Sequence, residues 1–498
     1  MPNSPFIRVR EVISSTPWST YMAEMAPEVR KQWYMPYWSE DRLRRHLEML
    51  RAFGFNSIQV NANPLMAIWG NAEPQAWRQR VVGYVRAARA LGMQVSQFVW
   101  GAAIADPQSA HGQKFTELDW HNPADRARQE AWYRDQAELA PLGDRIITHW
   151  GDPGRPGCAA CTLDSVSERH NVILAVFRAG NPQIRGALST WFMGGEMGYT
   201  YPGYVSPGQV AAHPALEPGS EVVIGLMNYH SDGVNCDPSS ELKRTDLAAI
   251  AATGRGAGVW GWYTADIEIL PSLHVHTDLL QNYFRSLPAE TRTSLAWHSL
   301  DDNAHGLNMQ NLYVAAQLMI DPARDGQALL DEFVTGFVGP ASAPAVAAAL
   351  RAIEQVRTRS RRYDLAVRDA TVPLPGPVKD LTPLPATWLQ DSAAVIAAAQ
   401  RGLATVAVPR TFTPAWPVTL HPADYLVELK VHLEAIRQML AFLQAAQPLE
   451  RRKAGGETTA QLQAAIEMLP VVTYDPAHTA GLETMVYRKK LAALQKQE

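Results

Sequence analysis

Residues 56–100 read NSIQVNANPLMAIWGNAEPQAWRQRVVGYVRAARALGMQVSQFVW. The run NSIQVN at 56–61 is short and β-rich, and Gln94–Trp100 is a second such run. Between them Trp77, Val81, Val85, Ala88 and Leu91 recur at helical spacing until Gly92 ends the pattern. Strand, helix and strand in that order predict parallel strands joined by a right-handed crossover.

The same unit recurs on both sides. Upstream, a first strand is expected over residues 6–15. Ser39 then caps a helix with Glu40 and Asp41 in its first turn, Leu43, Leu47 and Leu50 on its apolar face, and Gly54 as its stop. Downstream, Asn122 and Pro123 start a helix to about Leu139, and RIITHWGD at 145–152 reads as strand four. Ser165 and Glu168 form a capping box for the helix before strand five, at 184–193. Strand six is expected at 221–230, a helix near 241–253, strand seven from Gly258 and strand eight at 293–300. With no glycine-rich phosphate loop after strand one, eight such units suit a (β/α)8 TIM barrel better than a doubly wound sheet.

Beyond Leu307 the pattern is helical, with expected helices at 308–318, 327–337, 343–363, 388–401, 422–446 and 457–469. The proline-rich stretch 370–385 is a crossing or linker among them. The expected organisation is a catalytic (β/α)8 barrel over 1–306 followed by an all-α C-terminal domain over 307–498, which either caps the site or supports a homo-oligomer.

Composition narrows the function. At 498 residues and 47% hydrophobic, the chain can bury a barrel-sized core. A net charge of -4, with no basic patch interleaved with aromatics, argues against nucleic acid. The N-terminus has no basic segment followed by an apolar one, and no window approaches the ~18 apolar residues of a membrane span. A cytoplasmic protein that neither enters a membrane nor binds nucleic acid is the expectation. The three cysteines, Cys158, Cys161 and Cys236, are read as free thiols packed against the loops; zinc held by all three thiolates and a His, on the weak signal of a lone C-x-x-C, is the alternative.

In such a barrel the loops after the carboxyl ends of the strands build the site. His149, Trp150 and Asp152 end strand four, Glu196 follows strand five, and His230 and Asp232 end strand six. Strand seven, GVWGWYTADIEI at 258–269, carries Trp262, Asp266 and Glu268 on one face, with His274 and His276 beyond; Asp301 and Asp302 end strand eight. Paired carboxyl groups cut glycosidic bonds, and aromatic rings offer flat faces to sugar C–H groups. Fifteen tryptophans, many at expected strand ends, strengthen that reading. The loop 196–219, with Tyr199, Tyr201 and Tyr204, is long enough to be a lid.

Residues 258–356 resemble the α-glucuronidase-like glycoside hydrolases, in which a barrel is followed by a helical domain. The resemblance rests on GVWGWYTADIE and on LNMQNLYVAAQLMIDPARDGQALLDEFVTGFVGPASAPAV, where such enzymes leave strand eight. It implies a general acid at the end of strand four, the place of Asp152, and a second carboxylate on strand seven, Asp266 or Glu268, as nucleophile or base. An Asp at strand four departs from the family-67 glucuronidases, which use Glu there. Gly151-Asp152-Pro153 also lacks the adjacent Asp-Glu pair of hexosaminidase-type barrels, so substrate-assisted hydrolysis is not supported. The expected substrate-binding residues are His149, Trp150, Glu196, His230, Asp232, Trp262 and Asp301, on an oligo- or polysaccharide and with no cofactor. A sugar lyase or isomerase, or a non-catalytic carbohydrate-binding barrel, are the alternatives.

Overall fold

The computed structural model describes residues 7–13, 38–60, 74–101, 103–105, 115–150, 161–190, 193, 203–225, 241–262, 273–287, 294–298, 307–359 and 385–468. Eight strands form its centre: β1 (Arg10–Ile13), β2 (Ser57–Val60), β3 (Gln94–Trp100), β4 (Arg145–His149), β5 (Arg185–Ser189), β6 (Glu221–Gly225), β7 (Ala257–Trp262) and β8 (Ser294–His298). They pair in the order β1-β8-β7-β6-β5-β4-β3-β2, every pair parallel, and β1 closes the barrel by pairing with both β8 and β2. Arg10 lies opposite Leu295 on one side, and Glu11 opposite Ser57 on the other.

The intervening helices are α1 (Glu40–Phe53), α2 (Pro74–Ala90), α3 (Pro123–Gln136), α4 (Leu163–Gly180), α5 (Pro207–Ala212), α6 (Glu241–Ala252), α7 (Thr277–Ser286) and α8 (Met309–Ile320). Their ends obey local chemistry. Ser39 Oγ accepts from the Arg42 amide at 3.2 Å, Asn122 Oδ1 accepts from the Ala124 amide at 2.9 Å, and both side chains satisfy orphan donors of a first turn. Gly54 stops α1 at φ 115°, and a β-carbon there would stand 2.9 Å from Ile320 Cδ1, so the stop is also where α8 docks. Gln317 of α8 donates to the Phe53 carbonyl at 2.8 Å. Packed against α7 on its other side, α8 completes the ring of helices.

Three expectations are corrected. The N-cap of α4 is Thr162 and not Ser165, which sits a turn later with its hydroxyl accepting from the Thr162 amide at 3.3 Å. Both residues suit a cap, and buried Leu163 draws the helix start back to the earlier one. In the stretch expected as a lid, residues 203–219 hold α5, whose Val210 and Ala211 are buried. They form the crossover from β5 to β6, packed on β6 and α6. The helix expected to end at Ala446 continues through Pro448 to Ala454, with Leu449 buried beyond the proline.

At the amino-terminal end of the strands the barrel interior is charged. Arg145 donates to Glu11 at 3.1 Å and to Glu221 at 3.0 Å, and its Nε meets Ser96 Oγ at 3.1 Å. Ser57 and Ser96 also donate to Glu11. Burial disfavours the Arg145 cation, but the fields of Glu11 and Glu221 outweigh it and raise its pKa. Arg145 and Glu11 are fully removed from water and Glu221 nearly so, and these charges persist because each is paired and hydrogen-bonded.

After α8 every described element is helical: α9 (Gly326–Val338), α10 (Ala343–Glu354), running on as a π-turn over Gln355–Arg359, α11 (Ala386–Leu403), α12 (Pro422–Ala454) and α13 (Thr459–Glu467). An aromatic cluster joins them to α1 and α8: Trp416 lies 5.8 Å from Phe333 at 9°, and both rings meet Phe53 and Tyr313. Residues 370–384 of the expected crossing lie outside the described residues. No helix among the described residues is long and apolar enough to cross a membrane.

Candidate functional site

The carboxyl end of β4 is held by its neighbours inside the barrel. His149 is 3% exposed; its ring centroid lies 5.0 Å from that of Phe98 on β3, and its Nδ1 is 3.2 Å from Ser189 Oγ on β5. Desolvation lowers its pKa to about 3, so at neutral pH it is an uncharged imidazole able to accept or donate a hydrogen bond. Trp150 follows, fully buried, with its ring laid over Gly101. The Gly101 amide donates to the His149 carbonyl at 2.9 Å, and the Gly101 carbonyl accepts from Tyr133 Oη at 2.7 Å. Burial raises the pKa of that phenol, keeping it a donor. A fixed pedestal results, two residues before Asp152.

The segment after β7 is held from outside the barrel. His274 and His276 are buried, ring centroids 5.5 Å apart. The His274 amide donates to Asn308 at 2.9 Å and the His276 amide to Asn311 at 3.0 Å. The His274 carbonyl accepts from Gln310 at 2.7 Å and from Asn311 at 3.0 Å. Gln310 in turn accepts from Tyr425 Oη on α12 at 3.2 Å, and Arg357 donates to the Leu273 carbonyl at 2.8 Å. Helices beyond the strands thus fix the chain that leaves the seventh strand.

Of the expected site residues, His149 and Trp150 stand at the mouth as described, and Trp262 is the last residue of β7, in register with His298. Asp152, Glu196, His230, Asp232, Asp266, Glu268 and Asp301 lie outside the described residues. Phe98, Ser189, Gly101 and Tyr133 are not among the expected site residues; a period of two along β3 and β5 is the signal that would set Phe98 and Ser189 on the inner face with His149. Gln59 is a further addition. It is fully buried on β2, opposite Ser96, and neither of its amide atoms has a hydrogen-bond partner among the described residues.

The reading of all three cysteines as free thiols is corrected by a disulfide at Cys161, whose Sγ also accepts from Arg169 at 3.2 Å. A sulfur in a disulfide is no thiolate ligand, which removes the basis for a three-thiolate zinc site. Cys158 and Cys236 lie outside the described residues. Among the described residues, no group of three or more His, Cys, Asp or Glu is arranged to hold a metal ion.

No protein-family profile matches the chain, and no curated relative matches it by sequence. Among solved structures it is similar to BtGH115A, a family GH115 4-O-methyl-α-glucuronidase with specificity for decorated arabinogalactans. That match has a TM-score of 0.56 at 13% identity and covers 98% of this chain and 62% of that one. It is also similar to CpGH84B, with a TM-score of 0.50 at 9% identity over 93% of this chain and 72% of that one. At these identities the likeness shows the fold alone, an α/β barrel.

Proposed function

We propose that the chain is a glycoside hydrolase that cuts an O-glycosidic bond in an oligo- or polysaccharide. The observation that carries this is the His149–Trp150 pedestal at the end of β4, two residues before the carboxylate Asp152, in a barrel similar to that of a glycoside hydrolase. In this reading Asp152 protonates the leaving oxygen, and Asp266 or Glu268 acts as nucleophile or as base for water. The neutral His149 offers a hydrogen bond at the floor of the mouth without competing for the proton that Asp152 must carry. Glu196, His230, Asp232, Trp262 and Asp301, each at or beyond a strand's carboxyl end, contact the sugar. The barrel over 1–306 does the chemistry, with α8 closing its ring and steadying the segment after β7 through Asn308, Gln310 and Asn311, and the rest of the helical part over 307–498 braces that contact through Tyr425 and Arg357. The disulfide at Cys161 fits an oxidising compartment better than the cytoplasmic location expected from the N-terminus.

The test is turnover of a panel of aryl glycosides and plant or bacterial oligosaccharides, read by product anomer. Asp152→Asn and Asp266→Asn or Glu268→Gln are each expected to lower kcat by about 10²–10⁴-fold. Near wild-type turnover in all three variants would overturn the assignment. An ultraviolet-absorbing unsaturated product would convert it to a lyase.

A further inference from the structure

We propose a second ligand site, in the groove between α1 and the loop at 413–421, for a small molecule bearing a carboxylate or phosphate group. The groove has a volume of about 790 Å³, in the range of small-molecule sites, and Arg42, Thr419 and the strip Pro414–Val418 contribute to its walls.

Its charges are balanced with one exception. Asp41 is paired with Arg44 at 2.7 Å and with Arg45 at 2.9 Å, Glu48 with Arg44, and Asp424 with Arg410 at 2.7 Å. His421 accepts from the Ala423 amide at 3.1 Å and meets the Phe412 carbonyl at 3.2 Å, the pattern of a neutral ring with one acceptor and one donor nitrogen. Arg42 alone has no carboxylate partner among the described residues. Its guanidinium lies 4.0 Å over the Trp38 ring, and its Nε is buried without an acceptor among those residues. Stacking occupies the face of a guanidinium and leaves its N–H edge, the part that binds carboxylate and phosphate in a fork. On the loop side, Thr419 Oγ1 is likewise buried with no partner among the described residues.

The three carboxylates of the lining, Asp41, Glu48 and Asp424, are thus each answered by an arginine, Arg44 and Arg410 reaching them from outside the groove, and Arg42 is the lining cation left to a ligand. Pro414, Pro417 and Val418 offer an apolar wall to the ligand's body. The site is built from residues outside the barrel mouth and does not depend on the hydrolase reading.

Calorimetric titration of the full chain with inorganic phosphate and with sodium glucuronate, in low-salt buffer against a sodium chloride control, tests the proposal. Saturable binding of at least one anion is expected, weakened roughly tenfold or more by Arg42→Gln and several-fold by Thr419→Val, with Arg42→Lys between. Phosphate alone binding assigns a phosphate-bearing ligand; glucuronate alone assigns a carboxylate. Heats equal to the chloride control for both anions, up to on the order of 10 mM, overturn the proposal. So does unchanged affinity in a folded Arg42→Gln protein. Should Arg42→Gln lose its fold with the Trp38 contact, Thr419→Val and Arg42→Lys decide the matter in its place, because neither removes that stacked cation.

Discussion

Trp150 lies on Gly101 so closely that a β-carbon built at Gly101 would stand 2.5 Å from the ring's Cη2. The contact joins the end of β4 to the turn after β3, and only a residue without a side chain allows it. Gly101→Ala must push Trp150 off its seat, at a cost of about 1–3 kcal/mol in unfolding free energy and with a loss of turnover. Gly83, exposed within α2 with nothing within 4 Å of the position a β-carbon would take, is the contrasting case. Gly83→Ala is expected to stabilise by roughly 0.5–1 kcal/mol. Denaturant titration of the two variants checks both signs.

Acid stability should be governed in part by three buried histidines. Desolvation, aided at His46 by the neighbouring Arg42 cation, holds His46, His149 and His170 at about 3, against 6.5 for a free ring. Between those values the unfolded chain binds protons that the folded chain refuses. Stability is therefore full above about pH 6.5 and declines as pH falls toward 3, by up to about 1.4 kcal/mol per pH unit for each ring. Unfolding free energies measured from pH 7 to 4 should show this slope, and His149→Gln should make it shallower by up to one proton. An unchanged slope in that variant would refute the buried neutral state.

Cys161 is expected to resist alkylation until the protein is reduced, which peptide mass mapping reads directly. Cys161→Ser should lower unfolding stability by about 2–4 kcal/mol, and a reducing agent should produce the same loss in the wild type. Labelling of Cys161 without reductant would contradict the disulfide.

Asn311 satisfies two buried backbone groups at once, the His276 amide and the His274 carbonyl. Asn311→Leu orphans the amide, while the carbonyl keeps Gln310. The expected cost is about 1–3 kcal/mol, larger than the ~0.5–1.5 kcal/mol of Tyr425→Phe, which loses one neutral bond to Gln310. Hydrogen exchange at residues 273–276 should quicken in both. A reversed order would mean that α12, rather than α8, fixes this segment.

Legibility in the sequence follows the range of the interaction. β3 is legible residue for residue, and Ser39, Gly54 and Asn122 are legible as helix ends, because caps and stops depend on neighbours a turn away. α5 is not, because six residues give no periodicity to read. Strand six is expected through residue 230, whereas β6 is described only to Gly225. The strand-end rule sets His149 and Trp150 at the end of β4, while their partners are hidden by distance: Phe98, Gly101 and Ser189 come from other strands and turns. The charged floor is least visible of all, since Glu11 and Arg145 are 134 positions apart and each alone looks like an ordinary polar interruption of a strand.

That floor makes the two halves of the barrel unequal. β1 to β4 contain both Glu11 and Arg145 and can neutralise their buried charge among themselves, whereas β5 to β8 contribute Glu221, whose cation lies across the divide. If the chain were split between β4 and β5, the first fragment would be electrically self-sufficient and the second would carry an unanswered carboxylate. Exchanging or duplicating halves would therefore work in one direction only.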